Sequence, residues 1–348
     1  MCKEQVSPED CYEYLIEIED AIQRLYINID HFLFQDIDKA KIQNILPRWV
    51  CDGGRTPEVS LSKAMYEKCR QKCDMPIVRK FIYYYDLWNI IAAIQDRFES
   101  VSIFMRDFYQ YIPFEVKYQE QKYTSIVRNS GNRETDAHIY INGVFIALAS
   151  TFDLLSKIAI EQAQYNKYGD FSSYSNMVSS GKNGLYNVQK LRNYINPELT
   201  KEGMLFSTNK EVRMIETFRN EYVHNGPWDL CNSVYCTAIN EEPADVILFA
   251  PDIDDNGNFV SSGARNKFYS QGNMMNVMLP GLVKSVFEIL RRTIDCLASL
   301  YNTATTQTPD KEKTELAVKG IDDLLRKLEY PNNNSSSTSV SGESLDMQ

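Results

Sequence analysis

Residues 218–229 read FRNEYVHNGPWD and set Arg219, Asn220 and His224, one of only three histidines, into one short stretch. These residue types suit chemistry at a phosphate. An imidazole with a near-neutral pKa can give and take protons at working pH. A guanidinium offers a planar fork for phosphate oxygens. A neutral Asn adds a donor and an acceptor without adding charge. The following Asn225-Gly226-Pro227 must end a helix, because Gly suits a left-handed cap and Pro cannot continue the ladder. A helix C-terminus favours protonated imidazole by roughly 0.3–2 kcal/mol.

The helix that positions these residues is predicted over about 209–224, with Val212, Ile215, Phe218 and Tyr222 as its buried stripe. Arg219 lies at the edge of that stripe, about 140° from His224 on an ideal helix. The expected break places His224 in the last turn or just past it, free to swing towards the Arg side. A long helix over 134–165 precedes the motif, with Ile141, Val144, Leu148, Phe152, Leu155 and Ile158 along one stripe and Asp153 facing inward. A short helix is expected near 185–195. After the motif, SVYCTAI and ADVILFA read as two short strands, followed by a Gly/Asn-rich stretch expected to be mobile, so that 231–272 forms an insert. A helix over 275–301 turns Leu279, Val283, Val286, Leu290, Ile294 and Leu297 inward, with Lys284, Arg291 and Arg292 on its polar sides.

The RNEYVH stretch resembles the Arg-x(4–6)-His signature of the HEPN superfamily, in which a polar residue, often Asn, directly follows the Arg. The order of helices is similar too, giving a HEPN-like four-helix core over roughly 134–302. The resemblance implies a metal-independent, cofactor-free endoribonuclease, acting as a symmetric dimer in toxin–antitoxin or anti-phage systems. His224 would be the general base or acid, Arg219 would stabilise the charged phosphorane, and Asn220 would position the phosphate or the histidine. Cleavage would leave a 2′,3′-cyclic phosphate. A two-fold mate joined through the motif helix would supply a second acid/base group. Asp153 is expected either as a satisfied buried or half-buried carboxylate or as the residue that orients Arg219, while Lys284, Arg291 and Arg292 would line the RNA cleft. Some relatives carry a Tyr two residues after the His as a modification target; Gly226 stands there in this chain.

A second Arg-x4-His, Arg133 to His138 in RETDAH, lacks the Asn and opens a helix instead of closing one, so it reads as coincidence. The alternative to catalysis is a HEPN-like module that binds RNA, a nucleotide or a protein, with Arg219 and His224 in separate contacts. A further alternative is an unrelated helical interaction protein that works through its N-terminal aromatic helices.

Upstream of the motif region, Ser7, Pro8, Glu9 and Asp10 predict a capped helix that runs to about His31. A loop over 47–60, a helix over 61–73 and a buried helix from Met75 to about Ile112 follow. The polar segment 113–132 is the expected domain seam, giving a helical region at 1–125 and a second domain at 130–330. The last helix spans 310–329, and 331–348 reads as a disordered tail. The whole is an all-α, multi-helix bundle with a small β-containing insert. A net charge of −10 argues against an extended grip on nucleic acid and confines RNA to one local cleft. Eight cysteines at scattered spacings predict reduced thiols without a metal site. The acidic start lacks a signal-peptide core and no run reaches a membrane-spanning length, so a cytoplasmic protein is expected.

Overall fold

The computed structural model describes residues 6–51, 57, 63, 76–116, 125–168, 192–229, 231–302 and 309–327. The chain is mostly helical, with a small antiparallel sheet. In order the elements are α1 (Pro8–Phe34), α2 (Lys39–Gln43), α3 (Arg48–Cys51), α4 (Pro76–Tyr111), β1 (Ser125–Asn129) and α5 (Asn132–Tyr168). They continue with α6 (Lys210–Asn225), β2 (Val234–Ile239), β3 (Glu242–Ile247), α7 (Met275–Tyr301) and α8 (Lys311–Lys327). The chain divides into two compact units, Met1–Gln35 with Tyr83–Thr306, and Asp36–Ile82 with Gln307–Gln348. This division differs from the predicted 1–125 and 130–330. The predicted helix at 61–73, most of that at 185–195, and the 331–348 tail lie outside the described residues. The predicted loop at 47–60 begins instead with α3.

In the larger unit, α1 starts as its residues dictate. Ser7 Oγ accepts from Asp10 N, and the Asp10 carboxylate accepts from Ser7 N. α1 then lies parallel along α7. Cys11 Sγ donates to Pro280 O at 3.2 Å, and Asn28 Nδ2 donates to Ala298 O at 2.8 Å. The predicted apolar stripes of α5 and α7 are buried throughout, whereas Asp153 is half-buried. Each such aliphatic side chain contributes roughly 1.5–3 kcal/mol by leaving water. Pro280 sits inside α7 and has no N–H to offer the carbonyl four residues back. Tyr109 of α4 fills that place, its hydroxyl donating to Asn276 O at 2.8 Å.

The sheet order is β1-β2-β3. β2 and β3 form a hairpin whose turn residues, Asn240 and Glu241, both take positive φ. β1 pairs antiparallel with β2 from Ser125↔Ala238 to Asn129↔Val234. The expected seam at 113–132 therefore ends in a strand. Its backbone finds a partner more than a hundred residues away, which no local pattern announces.

Asn132–Gln164 of α5 is long and apolar enough to cross a membrane by length and composition, with 67% of its most apolar window buried inside the fold. The expectation that no run reaches that length is corrected. The apolar positions of α5 run almost all round the helix because neighbouring helices cover it on several sides.

In the smaller unit, Asp38 caps α2 by accepting from Lys41 N. Its own N–H donates to Thr314 Oγ1 of α8 at 3.1 Å. Its buried residues include Ile37, Ile42, Val50, Phe81, Ile321 and Leu324.

Candidate functional site

α6 carries the motif. Val212, Ile215 and Phe218 are buried as predicted, while Tyr222 is only half-buried. The helix stops at Gly226, whose φ of 93° is open to glycine at little cost, and Gly226 N donates to Tyr222 O. The stop comes one residue later than the swing of His224 requires. Asn225 is still helical, so His224 sits within the last turn and keeps its helical direction. On that geometry Arg219 and His224 point about 140° apart. No hydrogen bond joins Arg219 to His224 among the described residues.

Arg219, half-buried, donates from Nη1 to Asn220 Oδ1 at 2.8 Å. Asn220 and His224 are exposed. The His224 ring takes part in no hydrogen bond or ion pair among the described residues. Between the Arg219 and His224 directions lie Asn220 and Val223, the latter 49% exposed. The motif thus presents a solvent face with an Arg on one flank and a His on the other.

α5 packs antiparallel to α6, with Phe145 stacked on Phe218 at 5.0 Å and His138 beside Trp228 at 5.5 Å. Asp153 lies close to the α6 face through Glu216. Burial raises the Glu216 carboxyl above the usual range, Arg213 at 3.5 Å draws it back, Asp153 pushes it up, and Arg219 pulls it down. Asp153, Glu216, Arg213 and Arg219 therefore form one charged neighbourhood. Ile146 of α5 and Val223 of α6, each one heptad from Asp153 and Glu216 respectively, are exposed, as is Ile139 a heptad further along α5.

The three cations expected to line a cleft do not share one. Lys284 holds its ammonium 5.0 Å over the Tyr14 ring. Arg291 pairs with Glu17 at 3.3 Å and Asp295 at 3.8 Å. Both therefore serve the α1–α7 packing. Arg292, exposed, reaches the loop at Gly203 instead, with Nη1 3.0 Å from where a Cβ there would stand. Residues 291 and 292 turn about 100° apart on any helix, so neighbours in sequence part company.

The Gly/Asn-rich segment at 251–272, expected to be mobile, is folded onto α6. Arg213 Nε donates to Asn258 Oδ1 at 2.8 Å, and Thr217 Oγ1 donates to Gly257 O at 3.0 Å. Lys267 pairs with the 5% exposed Glu221 at 2.7 Å, and Asn225 Nδ2 donates to the other Glu221 oxygen. Asp252, buried, gathers Ser270 N, Ser270 Oγ and Gln271 N. Burial works to raise its carboxyl, but these donors hold it below the usual range. Sequence reading missed Glu221. The Glu–Asn spacing of four was visible, but the lysine that completes the group is 46 residues away.

His138, of the second Arg-x4-His, is 1% exposed, and its Nε2 donates to Ser233 O at 3.0 Å. It packs under Trp228, whose Nε1 donates to Phe249 O. Its role is to pin the chain that leaves the motif helix. Among the described residues no group of three or more His, Cys, Asp or Glu side chains could hold a metal ion. Cys11, Cys231, Cys236 and Cys296 are free. No family model, curated protein or solved structure matches the chain.

Proposed function

We propose that this chain is a metal-independent endoribonuclease of HEPN type whose site is completed by a second copy. The observation that carries the reading is the α6 solvent face, where an imidazole with no partner among the described residues and an Asn-bonded guanidinium flank Val223. One chain cannot bring the flanks together. Two copies related by a two-fold axis along this face set the His flank of one against the Arg flank of the other. The exposed Ile139, Ile146 and Val223 suit the seam between them.

In the reaction, one His224 takes the 2′-hydroxyl proton as the 2′-oxygen bonds to phosphorus. Arg219 neutralises the charge growing on the non-bridging oxygens. The bond to the 5′-oxygen then breaks, and the partner copy's histidine returns a proton to that leaving oxygen. The products are a 2′,3′-cyclic phosphate and a 5′-hydroxyl.

The test is incubation of the purified chain with total RNA in EDTA, beside His224→Ala and Arg219→Ala. Cleavage is expected in the parent and reduced by about a hundredfold or more in each variant, the usual size of an acid–base contribution for His224 and of electrostatic stabilisation for Arg219. Equal cleavage by all three assigns it to another site or a contaminant. The separation of Arg219 and His224 within one chain is also what a non-catalytic RNA- or protein-binding module would show, and RNA binding without cleavage by the parent favours that reading.

A further inference from the structure

A cavity of about 160 Å³ opens between the end of α4, the first turns of α5 and the sheet. Ile112, Ala137, Val234 and Val246 give it an aliphatic floor. The first three are buried in the fold. Tyr111, stacked on Tyr140 at 5.8 Å, forms one wall. Asn129 and Cys236 form another and satisfy each other, the amide donating to Sγ at 3.0 Å.

The charged residues of its lining are Arg133 and Glu134, adjacent on the first turn of α5, with the Asp136 carboxylate near enough to act on the Tyr111 wall. Neither Arg133 nor Glu134 is engaged in a hydrogen bond or ion pair among the described residues. We propose that this cavity binds a small zwitterion with a branched aliphatic tail, an α-amino acid of valine or leucine size. The carboxylate meets the Arg133 fork, the ammonium meets Glu134, and the tail enters the floor. The size agrees, since an apolar cavity of about 150 Å³ takes up a benzene ring, and the charged end stays at the open mouth. The charges select the class. A simple carboxylic acid or a phosphate would face Glu134 with like charge, and a simple amine would face Arg133 in the same way. This site is independent of the nuclease reading and stands whether or not the chain cleaves RNA.

The experiment is calorimetric titration of the full chain with L-leucine and L-valine, beside isovalerate and isoamylamine, which each keep the tail and one charge. At least one amino acid is expected to bind, with both analogues weaker by about tenfold or more, the worth of one charge-assisted contact. Arg133→Ala and Glu134→Gln, both at the solvent edge, each weaken binding by about tenfold to a hundredfold. Val246→Phe fills the floor and abolishes binding, with thermal unfolding recorded to check that the fold persists. No heat with either amino acid, equal binding of an analogue, or binding indifferent to the two charge substitutions overturns the proposal.

Discussion

His138 and His224 each stand five residues after an arginine, yet the fold gives them opposite surroundings. His224 meets water on the last turn of α6. His138 is sealed under Trp228, with Nε2 spent on Ser233 O and no partner for Nδ1 among the described residues. Burial therefore holds its pKa below the ordinary 6.5, despite the bond to Ser233 O and the nearby Asp229. The sign follows from linkage. The unfolded chain binds the proton more tightly, so the contribution of His138 to stability is whole above pH 6.5 and falls away as pH drops below it. Urea unfolding at about pH 7.5 and about pH 5.5 should show the loss on the acid side. His138→Gln should flatten that part of the difference; an unchanged slope would remove His138 as its source. The spacing was legible in the sequence for both histidines. Which one faces solvent was not, because burial depends on a tryptophan and a carbonyl supplied from roughly ninety residues downstream.

At the scale of elements, α6 is held by the segment that follows the hairpin. Gly257 has a φ of +86°, and a Cβ there would collide with Lys210 O at the start of α6. Both the dihedral and the contact forbid a side chain, so Gly257→Ala should cost about 1–3 kcal/mol. It should also loosen the first turns of α6, read as faster amide exchange across 210–217. Stability equal to the parent would show that the segment does not brace the helix. The long helices were legible from apolar periodicity, which is why Ile141 to Ile158 on α5 and Leu279 to Leu297 on α7 are buried as expected. The bracing segment was misread because its order comes from dispersed polar partners: Arg213 with Asn258, Thr217 with Gly257, Lys267 with Glu221. Composition alone resembles that of an unstructured loop. β1 escaped notice for a similar reason: four of its five residues are exposed, so no alternation marked it.

At the scale of the whole molecule, the net charge of −10 makes two copies repel unless an apolar face offsets that repulsion. On the proposed two-copy reading, the exposed Val223, Ile146 and Ile139 would supply such a face. Val223→Asp should therefore yield a monomer by sedimentation and lose RNA cleavage together, with His224 and Arg219 untouched. A parent chain that sediments as a monomer at micromolar concentration would sink the two-copy site. One packing choice also governs how the chain is made. α1 rests on α7, with contacts such as Arg24 to Asp295 spanning some 270 residues. During synthesis, α1 leaves the ribosome long before its mate exists, with Ile18, Ile22 and Leu25 uncovered. The nascent polypeptide must therefore keep this greasy stripe out of trouble, or lend it to a chaperone, until some 270 further codons have been read.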